Sequence, residues 1–439
     1  MKINFLKNKK ILILGFGREG LDSFNFLRKT FPQKTIAIAD QKDVSEIDLK
    51  TEKILKQDGN IVYFGGKNYL KSLKNFDVIL KSPGIQFEKI KKYLNKETIL
   101  TDQTELFFDN CKAKIIGITG TKGKSTTAAL IYNLLKKNKI SSYLLGNIEV
   151  PALSYLAKIK KEDVVVYELS CHQLQFLSQS PHIAVFLNIY PEHLDYYKTF
   201  KKYCNAKANI ALHQKKSDYF IFNSKIKEIK SIANKSKAKL IPINSDKYTE
   251  ILLKFPQFKE ITHPDNLAVI FETGKIFNLS ESQIIKSIKS FKKLPHRLEF
   301  VGEFQQIKFY DDSIATIPEA TIFALDTLGA NVQTLIIGGF DRGIDFSKMS
   351  KRIENSQIKN LILFPTSGEK IWNGIEKESQ KKLKHFFVNN MEEAIKIAFQ
   401  NTDPKKICLL SCASASFGLF KDFKERGDLF KKSIKQYGS

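Results

Sequence analysis

Gly120-Thr-Lys-Gly-Lys-Ser-Thr126 carries the residue types that hold a polyphosphate. Glycines let consecutive backbone N–H groups wrap phosphate oxygens, Lys124 reaches the terminal phosphates, and Ser125 offers a hydroxyl to magnesium. A strict Walker A pattern wants glycine five residues before Gly123; Ile118 stands there, and Gly117 is one place too early. Further along, Glu168 closes the apolar run Asp163 to Glu168, and His193 lies in Asn188-Ile-Tyr-Pro-Glu-His-Leu-Asp195 beyond another run, Ala184 to Ile189. Open α/β sheets bind ligands beyond the C-terminal ends of their strands, so Glu168 is a candidate magnesium ligand beside the phosphate loop. His193 and Asp195 share that rim, although a lone histidine is more often structural.

A second glycine set, Gly15-Phe-Gly-Arg-Glu-Gly20, precedes all of this, with Asp40 about twenty residues beyond it. Gly15, Gly17 and Gly20 would let the backbone approach a pyrophosphate at a positive helix end. Asp40 could accept from a nucleotide's hydroxyls or base. A tight strand-to-helix turn with no ligand has the same signature.

These residues need strands and helices to hold them. Ile11 to Leu14, Thr35 to Ala39 and Asp77 to Leu80 are short apolar runs, and the helical pattern Leu21 to Lys29 follows the first of them, which predicts parallel βαβ units. A second start at Lys114 predicts a strand over 115–119 and a helix over 126–137. A third α/β unit follows Pro295, with strands expected at 307–310, 334–337, 360–364 and 407–410. Its strand ends carry Asp311-Asp-Ser313, Gly338-Gly-Phe-Asp-Arg342 and Ser411-Cys-Ala-Ser-Ala-Ser416, small and polar residues of the kind that build a substrate site.

The bulk properties set outer bounds. At 439 residues the chain has room for two or three domains. The basic N-terminus imitates a secretory signal, but Ile11 to Leu14 is too short for a signal core, and no eighteen-residue apolar stretch predicts a membrane span. Cys111, Cys171, Cys204, Cys408 and Cys412 are odd in number and scattered, which argues against a disulfide framework or paired zinc spacing and fits a reducing cytoplasm. The formal charge of +25 invites a nucleic-acid reading, yet the lysines are spread over the whole length like solvated surface. A positive field also attracts nucleotides.

Taken in order, Gly120 to Thr126, Glu168-Leu-Ser170, Asn188 to Asp195 and Leu294-Pro-His-Arg297 resemble the Mur ligases across essentially the whole chain. Asn147 in Gly-Asn-Ile, Lys207 in Tyr-Cys-Asn-Ala-Lys and the ending Phe420 to Gly427 are similar to the branch that adds D-glutamate to UDP-N-acetylmuramoyl-L-alanine. The resemblance implies an α/β fold of three domains: a Rossmann-like UDP-binding domain (1–102), a central P-loop ATPase domain (103–297) and a C-terminal Rossmann-like domain for the amino acid (298–439). It implies ATP and Mg2+ as cofactors, UDP-N-acetylmuramoyl-L-alanine and glutamate as substrates, and a cytoplasmic monomer with no nucleic-acid or membrane partner.

The resemblance also implies roles. Gly15, Phe16, Gly17, Asp40, Ser82, Gly84, Asn147, Ser170 and Gln173 hold the UDP-linked substrate; Gly120, Thr121, Lys122, Gly123, Lys124, Ser125, Thr126, Asn266, Arg297 and Asp312 hold ATP. Ser125, Glu168, His193 and Lys207 serve the metal, Lys207 as a carbamate, and with Lys124 the last three form the catalytic set. Thr316, Arg342, Ser416 and Phe423 receive glutamate. Ile314 and Arg342 stand where lysines are common in the family, so L-glutamate remains an alternative substrate. A folylpolyglutamate synthase-like ligase and a nucleic-acid-binding P-loop ATPase are the readings from outside this branch.

Overall fold

In the computed structural model, residues 1–47, 49–147, 151–292, 294–341 and 343–438 are described. They form two compact units, Met1–Phe291 and Lys292–Ser439.

The first unit holds two parallel sheets. One comprises β1 (Ile11–Leu14), β2 (Ile36–Ala39), β3 (Ile61–Phe64), β4 (Val78–Lys81) and β5 (Ile99–Thr101) in the order β3-β2-β1-β4-β5. The other comprises β6 (Lys114–Thr119), β7 (Ser142–Gly146), β8 (Val164–Glu168), β9 (Ile183–Phe186), β10 (Tyr219–Phe222) and β11 (Lys239–Pro242) in the order β11-β10-β9-β6-β8-β7. In both sheets the sequence order reverses direction beside the glycine-bearing strand, β1 or β6. Such a reversal parts the connections on either side and leaves a crevice at the strand ends, where ligands settle. The glycine loops therefore open at that crevice in each sheet.

Continuous apolar runs form the inner strands because both faces are covered. Ile11 to Leu14 and Val164 to Glu168 are buried throughout. Ile116, Ile118, Val166 and Val185 pack with Leu130, Leu134 and Leu135 of the helix Lys124–Lys137, while Val165, Tyr167 and Phe186 face a core that also contains Ile13 and Ile115. Edge strands carry weaker patterns: β3 and β11 are only partly covered, and they, β5 and β7 were unforeseen, as was the interior strand β10. The run expected to extend to Ile189 leaves the sheet after Phe186. Asn188 instead clamps the phosphate loop, its Oδ1 accepting from Lys122 N at 2.8 Å and its Nδ2 donating to Lys122 O at 3.0 Å.

The second unit has one mixed sheet: β12 (Glu299–Phe304), β13 (Ile307–Asp311), β14 (Val332–Gly338), β15 (Asn360–Phe364), β16 (Lys384–Phe387) and β17 (Ile407–Leu410), ordered β12-β13-β17-β14-β15-β16. Only the β12–β13 pair is antiparallel. Cys408 and Cys412 are fully buried free thiols. No helix among the described residues is long and apolar enough to cross a membrane.

Candidate active site

One cavity of about 450 Å³ in the first unit gathers the C-terminal ends of strands from both of its sheets. Gly17 follows β1, Ser82 and Gly84 follow β4, Lys124 follows β6, Asn147 follows β7, Ser170 follows β8, and His193 lies beyond β9. Lys207 reaches the same cavity from the helix Phe200–Leu212.

The phosphate loop is shaped by two backbone demands. Gly123 caps the helix Lys124–Lys137 with φ +81, a left-handed conformation that costs other residues steric energy. A Cβ there would also lie 2.6 Å from Asn266 Nδ2, so the residue named for nucleotide contact closes directly on the loop. Thr121 is fixed by N–H donation to Asn188 O and by a hydroxyl contact of 3.1 Å with Tyr203. Thr126 is buried, and Ser125 stands in the first turn of the helix. Lys124 Nζ donates to Gly120 O and Thr121 O, both at 3.0 Å, and so lies folded over its own loop.

Behind the loop, Lys207 is 1% exposed and donates to Thr119 Oγ1 at 3.2 Å and Gly120 O at 3.0 Å. Burial, reinforced by Lys124, pulls its ammonium down to about 8, so a substantial neutral fraction exists near physiological pH. Glu168 is 1% exposed at the end of β8; its Oε1 accepts from Asn147 Nδ2 at 3.0 Å, while Oε2 is buried with no hydrogen-bond partner among the described residues. A desolvated, unpaired carboxylate oxygen is costly on its own and suits a hard cation. The Glu168 carboxylate therefore fits magnesium, whereas Lys207 offers an oxygen ligand only as a carbamate.

Several substrate candidates also make structural hydrogen bonds or close packing contacts around the glycine loops. Asp40 accepts from Phe16 N at 2.7 Å and Lys42 N at 3.0 Å, which fixes the first glycine loop. Gly15 has φ +88, and a Cβ on it would lie 2.8 Å from Ser82 Oγ, whose hydroxyl donates to Gly15 O. Gln173 accepts from Ser170 N and donates to Glu19 Oε1, tying the two sheets' loops together.

Residues outside the candidate set complete the wall: Arg18, Glu19, Cys171, His172, Glu192 and Tyr203. Arg18 was visible inside the glycine motif as a cation at a helix N-terminus. Burial would raise the Glu192 carboxyl, but Lys122, Lys124, His193 and Lys207 outweigh it and hold the group below its ordinary range. His172 is pushed down to about 3 by burial and by His193, so it stays neutral. Buried Lys81 donates to Ser82 O, Pro83 O and Ile85 O, which pins the Ser82-Pro-Gly84 turn.

The second unit contains Arg297, Asp312, Thr316, Ser416 and Phe423; Arg342 lies outside the described residues. Asp312 is buried, accepts from Leu298 N at 3.1 Å and Ser411 Oγ at 2.9 Å, and is raised to about 7 by burial. Ser416 is 4% exposed, Thr316 half-buried, and Phe423 opens the helix Phe423–Gly438, its carbonyl accepting from Ser313 Oγ. Arg426, not foreseen, is fully buried and donates to Ser313 Oγ, Ser313 O and Ser414 O, so one guanidinium ties the Asp-Ser turn to the serine-rich loop.

Residues 118–304 match the Mur ligase middle domain, and residues 296–414 match the Mur ligase glutamate ligase domain. The chain belongs to the Mur ligase family, whose members are ATP-dependent ligases. It is 33% identical to a UDP-N-acetylmuramoylalanine--D-glutamate ligase of Clostridium tetani, over 98% of this chain and 97% of that one. Among solved structures, MurF from Acinetobacter baumannii superposes with a TM-score of 0.60 at 15% identity, covering 97% of this chain and 90% of that one. MurF from Thermotoga maritima in complex with ADP gives 0.57 at 15% identity, covering 99% and 98%. Those two share the fold.

Proposed function

We propose that the chain joins D-glutamate to UDP-N-acetylmuramoyl-L-alanine through an acyl-phosphate, with release of ADP and phosphate. The observation that carries this reading is the shared cavity, where Lys124 of the phosphate loop, Lys207 and Asn147, which donates to Glu168 behind it, face the Gly17 and Ser82–Gly84 loops across one space. A nucleotide-linked carboxylate held at the first sheet then meets the γ-phosphate held at the second. The nearly full-length likeness to a ligase of that name supports D-glutamate over L-glutamate.

The chemistry follows from charge. A carboxylate is a poor electrophile, so its oxygen attacks the γ-phosphorus, forming a C–O–P linkage and breaking the bond to ADP. Lys124 and the loop N–H groups stabilise the charge that develops there. The glutamate amine then attacks the carbonyl carbon, loses its proton, and expels inorganic phosphate. Magnesium, held by Ser125, Glu168, His193 and a carbamylated Lys207, would neutralise phosphate charge. The lowered ammonium of Lys207 favours carbamylation, since only a neutral amine adds to carbon dioxide. In the second unit Thr316, Ser416, Phe423 and Arg342 receive glutamate, with Arg342 as a bidentate fork in place of a lysine. Domains 1–102, 103–297 and 298–439 divide the UDP, ATP and amino-acid roles. On this reading the enzyme is a cytoplasmic monomer.

Phosphate release with ATP, UDP-N-acetylmuramoyl-L-alanine and either glutamate enantiomer tests the proposal. Turnover with D-glutamate alone, abolished in Lys124→Ala, is expected. Turnover only with L-glutamate, or a Lys124→Ala variant near wild type, would overturn it.

A further inference from the structure

Next to the set that fits magnesium, the cavity wall holds a second group of donors with different chemistry. One ligand atom each from Cys171, His172 and His193 lies within 4.8 Å of the other two. All three residues line the 450 Å³ cavity, so an ion has an entry path and an open position facing solvent. The two imidazoles meet edge to face with centroids 4.9 Å apart, and the Tyr197 hydroxyl sits 3.3 Å from His172 Nδ1. Glu192 Oε2 lies 3.8 Å from His193 Nε2 and supplies a nearby negative charge. The other cluster of this kind among the described residues, His296, Glu299 and Asp311, is already neutralised by Lys431, which pairs with Glu299 at 2.6 Å.

We propose that Cys171, His172 and His193 form a site for a borderline-soft divalent transition metal such as zinc, with the fourth position open to the cavity. One thiolate and two imidazoles are the ligand class zinc prefers, whereas magnesium takes oxygen. Zinc bonds of about 2.0–2.3 Å in a tetrahedron set donors roughly 3.3–3.7 Å apart, so the present group, spread over at most 4.8 Å, must contract by up to about 1.5 Å. On binding, the S–H bond breaks, a sulfur–metal bond forms, and one proton leaves to solvent. Because His193 also belongs to the magnesium set, zinc captured here withholds that ligand, and the enzyme is zinc-sensitive. The metal site depends only on the cavity and holds whichever glutamate is used, while the zinc sensitivity rests on the magnesium role proposed for His193.

The test uses the metal-free full-length chain titrated with Co2+ and with Zn2+, without nucleotide. Expected is one equivalent of Co2+ with a near-ultraviolet thiolate-to-cobalt band, displaced by Zn2+, and about one proton released per ion by calorimetry in buffers of different ionisation heat. Cys171→Ser should lose the band, and Cys171→Ser and His172→Phe should each bind Zn2+ at least about tenfold more weakly. Thermal unfolding of the metal-free variants checks their fold. No band in the wild-type chain, or variants that fold and bind like wild type, would overturn the site.

Discussion

Gly123→Ala is the perturbation whose size follows most directly from coordinates. The residue has φ +81, and an L side chain in that region costs about 1–2 kcal/mol. The new Cβ would sit 2.6 Å from Asn266 Nδ2, closer than real contacts allow. Asn266 must then move, and its Nδ2 gives up the 3.0 Å bond to Thr262 Oγ1. Losing that buried bond adds about 0.5–1.5 kcal/mol, for a total near 1.5–3.5 kcal/mol. Both residues flank the phosphate loop, so ATP binding should weaken along with stability. A double-mutant cycle separates the terms. Asn266→Ala alone loses the bond, but Gly123→Ala/Asn266→Ala has no amide to strike, so the double variant should be less destabilised than the sum by about the hydrogen-bond share. Denaturant unfolding and calorimetry with ATP on all four proteins give the numbers. Strict additivity, or a Gly123→Ala protein as stable as wild type, would refute the left-handed turn and its packing on Asn266.

Two further outcomes are expected. Asp40→Ala should destabilise the first glycine loop by about 1–3 kcal/mol, because the Phe16 and Lys42 N–H groups lose a charged acceptor, and it should weaken the UDP-linked substrate without changing ATP affinity in calorimetry. Lys207→Ala should be nearly inactive, with partial rescue by short carboxylates. In the wild-type chain the carbamate, read by mass or NMR with labelled bicarbonate, should increase as pH rises toward 8, since the neutral amine grows as pH approaches the lowered ammonium value. Absent rescue together with an unlabelled lysine would sink that role.

The sequence by itself determined the elements whose signal is local. Ile11 to Leu14, Val164 to Glu168 and Ile407 to Leu410 are buried on both faces, so apolar residues run without interruption and the strands declare themselves. Gly120 to Thr126 was equally legible, because backbone conformation at Gly123 and the following helix depend on neighbours in the chain. The strand-end rule pointed to Lys124 and His193 and the family resemblance to Lys207, and the three do share one cavity.

Only the tertiary structure decided which of those residues face the cavity and which support its wall. Asp40 stands about where a nucleotide contact is expected, and its carboxylate also accepts from the Phe16 and Lys42 N–H groups, a pairing across 24 residues in the first case. Glu19 and Gln173 are 154 residues apart and meet because two sheets dock through their loops. Lys81 and Arg426 look like ordinary surface charges in the sequence; both are buried because several carbonyl or hydroxyl oxygens converge on each. Burial and partner choice depend on residues brought together from distant parts of the chain, and periodicity along the chain carries no record of those meetings.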